Sequence, residues 1–370
     1  MSAAAGLGAA PRTAVIAPAG RLAVLRALRR RYLAGRLLLV TVLALAATAA
    51  LVVWGVMAGS SDLGVGQTVL ALLGAGEPSH EFIVRELRLP RVIGAVVVGL
   101  ALGMSGALTQ TFSRNPLATP DILGVTSGAA AGAVAAIVLG GGAYAVGSGL
   151  LGLGMPVVAT IGALGTAAVV YGLSWRGGVD SYRLILIGIG ATATLGGLTN
   201  YLMVRGSLSQ AAAATQWLVG SLAGVTWTSV WPVLIVLLVI TPLALTQTSA
   251  LDIGQLGDEM STGLGVPVQR HRIAVLVCAV VLCAAAVSAA GPVGFVAFVA
   301  PQLAQRLGRT PRPPLLASAL LGAAMVTAAD ILGRAVLPWS VPVGIITAII
   351  GAPYLIWLLT RRTAGGRSAA

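Results

Sequence analysis

Lysine is absent from all 370 residues, so each of the 23 basic side chains is an arginine. A P-loop ATPase needs the lysine that reaches the nucleotide's β- and γ-phosphates, which means this chain does not carry that ATPase itself. Schiff-base chemistry is excluded on the same ground. Histidine and cysteine number two each, His80, His271, Cys278 and Cys283, and they show no metal-ligand spacing. Neither a bare-metal site nor a cofactor is expected from so thin a donor set. Cys278 and Cys283 stand five apart in one apolar run, where small thiols serve as core packing. Charge is scarce too: 9% of residues are charged, against about 25% in an ordinary soluble domain.

What fills the chain is apolar. Hydrophobic residues make up 57% of it and mean hydropathy is +0.96. A helix needs roughly 20 apolar residues to cross a hydrocarbon core. Residues 37 to 61, 92 to 113, 184 to 204 and 335 to 360 carry no charge and supply one span each. Two longer intervals read as helical hairpins: 122 to 175, broken near Gly140 to Gly142, and 273 to 305, broken at Gly291-Pro292-Val293-Gly294. The stretch 206 to 251 is polar at first and continuously apolar from about Val230, giving one span, and 313 to 333 gives another. The expectation is an all-α polytopic membrane protein of about ten transmembrane helices. It has a basic arm at 1–36, a transmembrane domain at 37–362 and a short tail at 363–370. No small-residue cleavage site follows the run at 37 to 57, so that run reads as a retained span. The 49 glycines and many alanines suit close helix packing in lipid.

Ten spans place both ends on one side, and the arginines choose the side. Only Arg85, Arg88, Arg91, Arg205 and Arg334 fall opposite the N-terminus, so the positive-inside rule puts both termini in the cytoplasm. The same asymmetry accounts for a net charge of +13 without a nucleic-acid partner.

Three polar features stand out. Arg88-Leu89-Pro90-Arg91 sets two arginines at i and i+3 before the second span, suited either to snorkelling toward lipid phosphates or to a fixed positive patch for an acidic partner. Asp330 and Arg334 are an i,i+4 pair that lessens the cost of a carboxylate near lipid, and Arg334 extends the same patch. Leu251 to Val266, LDIGQLGDEMSTGLGV, is a cytoplasmic segment in which Asp258 and Glu259 precede a helical turn and favour its positive end. It suits either a solvated loop or a helix that docks in a partner's groove.

Eight ordered blocks between about Arg88 and Arg362 resemble the iron-siderophore and vitamin B12 branch of binding-protein-dependent ABC permeases, the BtuC-like type II importers. They are RLPR (88–91), SGALTQ (105–110), RNPLATPDILG (114–124), WLVGSL (217–222), LGDE (256–259), GPVGFV (291–296), ADILGR (329–334) and PVGIITAIIGAPYLIWLL (342–359). The resemblance implies a permease subunit paired with a second permease chain, served by cytoplasmic ATPase subunits and by an extracytoplasmic siderophore-binding protein. It implies that this binding protein docks on Arg88, Arg91 and Arg334, and that the loop holding Gly257, Asp258, Glu259 and Gly265 couples to the ATPase. The helix at 184 to 204 would line the path. Many relatives have His where this chain has Gln302, and Glu where it has Ser340. The Gln form, with Pro120-Asp121-Ile122-Leu123-Gly124, looks most like the second permease subunit of ferric-enterobactin-type systems, hence a heterodimer. Haem or vitamin B12 import is the alternative within the family.

Two rivals come from other classes. An ion-coupled secondary transporter would place ionisable groups near the bilayer midplane, yet every Asp and Glu here falls in a loop or near a helix end. A membrane enzyme would need a clustered catalytic set, which the sequence does not offer.

Overall fold

The structure, a computed structural model, describes residues 19–59, 63–140, 154–176 and 181–365 and is all-helical. In chain order the helices are α1 (Ala19–Met57), α2 (Val65–Leu73), α3 (Pro78–Phe82), α4 (Leu89–Phe112), α5 (Val125–Leu139), α6 (Gly154–Ser174), α7 (Ser181–Arg205) and α8 (Leu208–Leu218). They continue as α9 (Trp227–Thr246), α10 (Thr248–Gly254), α11 (Asp258–Gly263), α12 (Val268–Ala290), α13 (Val296–Gly308), α14 (Leu315–Ile331) and α15 (Val343–Gly365). Wide π turns at Ile83–Arg88 and Leu332–Val336 precede α4 and follow α14. The first has a covalent reason: Pro90 has no N–H to offer the carbonyl of Glu86, and its ring crowds that carbonyl, so the helix widens there.

Among the described residues seven helices are long and apolar enough to cross a membrane, and two shorter apolar ones lie at Val125–Leu139 and Val343–Leu358. Length and composition alone therefore give fewer than the expected ten; α13, with 13 residues and Pro301 inside it, is too short to be counted this way. Both expected hairpins have their helices in place. α5 ends at Leu139, with Gly141 and Gly142 outside the described residues, and α12 ends at Ala290, followed by Gly291, whose φ of 69° suits glycine. α1 is continuous from Ala19, so helix begins well before residue 37; residues 1–18 of the expected arm and 366–370 of the tail lie outside the description.

Helix α4 is the axis of the bundle. Its apolar window is 83% buried, against 11% for α1, whose Leu38, Leu39, Val42 and Leu43 stay exposed as lipid-facing side chains do. Around α4 pack α14, α12, α13, α9 and α1, while α5, α6 and α7 form a second layer joined to it through α12. Small residues set the spacing. A Cβ on Gly99 would come within 2.6 Å of the Ala323 Cα on α14, so only glycine permits that approach. Gly106 lies against the backbone of Ala297 on α13. Pro301 cannot donate to the Ala297 carbonyl four residues back, and that carbonyl turns toward the Gly106 Cα. Polar side chains add ties: the Ser105 hydroxyl donates to the Ala279 carbonyl, Gln110 Nε2 donates to the Phe298 carbonyl at 3.0 Å, and Gln302 Nε2 donates to Gln110 Oε1 at 2.7 Å. Cys278 and Cys283 are buried in α12, in the packing role their spacing suggested.

Candidate functional site at the two ends of helix α4

Each end of α4 meets a carboxylate held by two arginines. At the N-terminal end the carboxylate is Asp330, 2% exposed. Arg91 Nε and Nη2 donate to its Oδ1 at 2.9 and 2.8 Å, and Arg334 Nε donates to Oδ2 at 2.9 Å. The i,i+4 pair read from the sequence is thus present, and a third member from 239 residues away completes it. Arg334 also donates to the carbonyls of Gly55 and Ala58, and Arg88 donates to those of Val56 and Met57 at 3.2 and 3.0 Å. These are carbonyls at the end of α1, which have no donor within the helix and carry its negative dipole end. Glycine at 59 leaves room for the Arg88 guanidinium, whose carbon a Cβ there would approach to 2.6 Å. The three arginines predicted to form one patch do come together, but unequally. Arg88 is buried at 6% and the Arg334 side chain is 10% exposed, whereas the Arg91 side chain is 26% exposed.

At the C-terminal end the carboxylate is Asp258, in the first turn of α11. Arg114 Nη2 donates to its Oδ1 at 2.6 Å, and Arg272 Nη2 donates to Oδ2 at 2.8 Å and Oδ1 at 3.0 Å. Burial alone would push the Asp258 carboxyl up, but the hydrogen bond from Arg114 and the charges of Arg272 and Arg114 outweigh it and hold the group below the usual carboxylate range. Gln255 Nε2 reaches the Thr111 carbonyl near the end of α4, and Arg312 bridges to Asp252 while donating to the Thr248 carbonyl at 3.2 Å. The predicted glycines have backbone reasons: Gly257 at φ 101° and Gly265 at φ 82° bracket α11, and no atom lies within reach of a Cβ at either. Glu259 faces out.

Sequence reasoning missed the exposed apolar residues of this segment. Leu256, Met260 and Leu264, one before α11, one within it and one at its end, are 59–61% exposed, and their regular spacing in the chain was legible. It also read Arg114 as a topology marker only, since its partner lies 144 residues away. Elsewhere, α7 covers the 184–204 stretch, and a groove between α6 and α7 is lined by Thr166, Val170, Ile187, Gly190 and Thr194, none of them ionisable. Among the described residues no three His, Cys, Asp or Glu gather as metal ligands would.

Comparison with known proteins places this architecture. The FecCD transport family matches residues 45–361. The ferric enterobactin transport system permease protein FepG of Escherichia coli (strain K12) is 38% identical over 336 residues, 90% of this chain and 98% of that protein. The cobalamin import system permease protein BtuC of Halobacterium salinarum is 39% identical over 284 residues, covering 76% of this chain and 74% of that protein. An inward-facing structure of a metal-chelate-type ABC transporter is 27% identical with a TM-score of 0.74, covering 90% of this chain and 99% of that one. The two arginine-held carboxylates and the helices between them therefore belong to a member of the FecCD transport family.

Proposed function

We propose that the chain is the second permease subunit of an ABC importer that carries a ferric siderophore of the catecholate, enterobactin type across the inner membrane. Its likeness to FepG over nearly all of that protein's length supports this choice, as do Gln302 and the PDILG motif at 120–124. A cobalamin permease matches over a smaller share of the chain, which keeps vitamin B12 import as the second reading. In this proposal ten helices cross the bilayer: the nine apolar ones and α13, whose polar and proline-broken end is sheltered by α4, α14 and α15 rather than by lipid. Both termini lie in the cytoplasm, with residues 1–36 and 363–370 outside the transmembrane domain.

The observation that carries the mechanism is α11. A permease without a P-loop lysine must take its work from another chain, and α11 and the residues flanking it expose Leu256, Met260 and Leu264 together with Glu259, suited to a groove in an ATPase subunit. At the far end of α4 an acidic binding protein meets Arg91 directly, on a base built by Arg88, Arg334 and Asp330. Such rim charge raises the encounter rate and sets orientation more than it adds affinity. The cargo then passes along α7 and a second permease chain, where uncharged contacts allow release. Reconstitution with the neighbouring permease, ATPase and binding protein tests the proposal: ferric-catecholate uptake into vesicles is expected to require ATP and to survive a proton uncoupler. Uptake by this chain alone, or uptake abolished by the uncoupler, would overturn it.

A further inference from the structure

We propose that Asp258 is a positioning residue that fastens α11 to helices α4 and α12 and passes the movement of α11 into the bundle, without touching the ATPase. The inference rests on the reading of α11 as the ATPase-coupling element and assigns its two acidic residues different tasks.

Three observations carry it. First, the Asp258 carboxylate is already engaged: both of its oxygens accept hydrogen bonds from guanidinium groups, Oδ1 from Arg114 and Arg272 and Oδ2 from Arg272. Glu259, its neighbour, sits on the outer side with Met260 and is the acid an incoming chain would meet. Second, Arg114 follows the end of α4 in a left-handed conformation, φ 49°, which a side-chain-bearing residue adopts at a cost that glycine would avoid. An arginine in that position reaches Asp258 from just beyond the last turn of the bundle's central helix. Third, the other arginine, Arg272, lies in the first helical turns of α12, which packs along α4 and α9. One carboxylate thus ties a short exposed helix to two long buried ones, and Gln255 on the Thr111 carbonyl repeats the tie to α4. Because α4 is enclosed on its other sides by α14 and α13, a displacement at this end cannot be absorbed locally.

A contact with the ATPase and a link inside the permease differ in what they break. The test uses the full importer, purified with its second permease and ATPase, and compares Asp258→Asn, Arg114→Gln and the double variant with Met260→Glu. Recovery of the complex, ATP turnover, vesicle uptake and thermal midpoint are measured for each. For Asp258→Asn and Arg114→Gln the expected result is a complex recovered as in wild type and ATP turnover that persists. Cargo moved per ATP falls about tenfold for Asp258→Asn and by no more than that for Arg114→Gln, which leaves the Arg272 bond in place, and the double variant is no worse than Asp258→Asn alone. Asp258→Glu should recover most of the transport. Loss of the complex in a folded Asp258→Asn protein, or unchanged transport per ATP, would overturn the linkage. If Asp258→Asn does not yield folded protein, Arg114→Gln decides by the same criterion. Met260→Glu separates the two levels: if it leaves the complex intact, the reading of α11 as the coupling element fails, whereas its loss of the complex beside a normally coupled Asp258→Asn sinks the linkage alone.

Discussion

Replacing Gly106 with alanine adds one methyl group where α4 and α13 touch. An ideal Cβ at this position lies 2.6 Å from the carbonyl carbon of Ala297 and 2.9 Å from its Cα. Carbon atoms pack comfortably at about 3.5–4.0 Å, so the two backbones must part by roughly 1 Å at this contact. An added methylene in a packed core costs about 1–3 kcal/mol when side chains can give way. Here the obstructing atoms are backbone, held by Pro301 four residues on and by the Gln110 bond to Phe298, so the cost falls at or above the upper end of that range. Gly165 on α6 is the control, because nothing lies within 4 Å of a Cβ there. Gly165→Ala should instead be neutral or gain up to about 1 kcal/mol from helix propensity. Thermal unfolding of the isolated chain in detergent is expected to show a clear drop in midpoint for Gly106→Ala and none for Gly165→Ala. Adding Pro301→Ala to Gly106→Ala should recover part of the loss, since the new N–H can draw the Ala297 carbonyl back into its own helix. Equal midpoints for the two glycine variants would refute the reasoning about close approach.

Arg91→Glu should weaken binding-protein docking with a steep dependence on salt and should also lower the thermal midpoint, because it sets a second carboxylate against the buried Asp330. Arg88→Glu should lower the midpoint as well, because a buried carboxylate would face the carbonyls of Val56 and Met57; surface plasmon resonance and thermal scans on both variants check this. The lowered Asp258 pKa gives a pH signature. A depressed folded-state value stabilises the protein above the unfolded value, and that stabilisation disappears as pH falls through the folded one. The midpoint difference between wild type and Asp258→Asn should hold at neutral pH and vanish only in acid, and it should be small, within about 1 kcal/mol, since the side chain is 47% exposed. Cysteines placed at positions 114 and 270 should react with impermeant maleimide only from the cytoplasmic face.

The helices were legible because lipid leaves so few options. Charge-free runs of spanning length located α4, α7, α9 and α12, a run interrupted only by Asp330 located α14, and the breaks at Gly140 and Gly291 located the hairpin ends. The i,i+4 relation of Asp330 and Arg334 was legible for the same reason, being a property of a single helix. The partners of those groups were not. Arg91 meets Asp330 across 239 residues and Arg114 meets Asp258 across 144, and nothing in local spacing records which helix ends share one side of the bundle. Without the pairing, Arg88, Arg91 and Arg334 read as three equivalent surface charges, when two of them are chiefly occupied with the end of α1. The exposure of Leu256, Met260 and Leu264 was missed for a different reason: hydrophobicity in a membrane protein is read first as a wish for lipid, and a short polar loop draws attention to its acids.

The absence of lysine acquires a structural sense at these nodes. Arg334 donates from three nitrogens at once, Nε to Asp330 and the two terminal nitrogens to Ala58 and Gly55, so one planar group joins α14 to the end of α1. Arg91 grips a single carboxylate oxygen with two nitrogens, and Arg272 reaches both oxygens of Asp258. An ammonium is a point charge on a flexible stem; it could supply the charge but not a rigid fork spanning acceptors from different helices. In a bundle whose apolar faces gain little from sticking to one another in lipid, fixed polar joints at the helix ends define how the rods are registered. The two ends of α4 are such joints, and in the proposed function each is where a separate protein docks, so arginine at these places serves helix registration whatever else it serves.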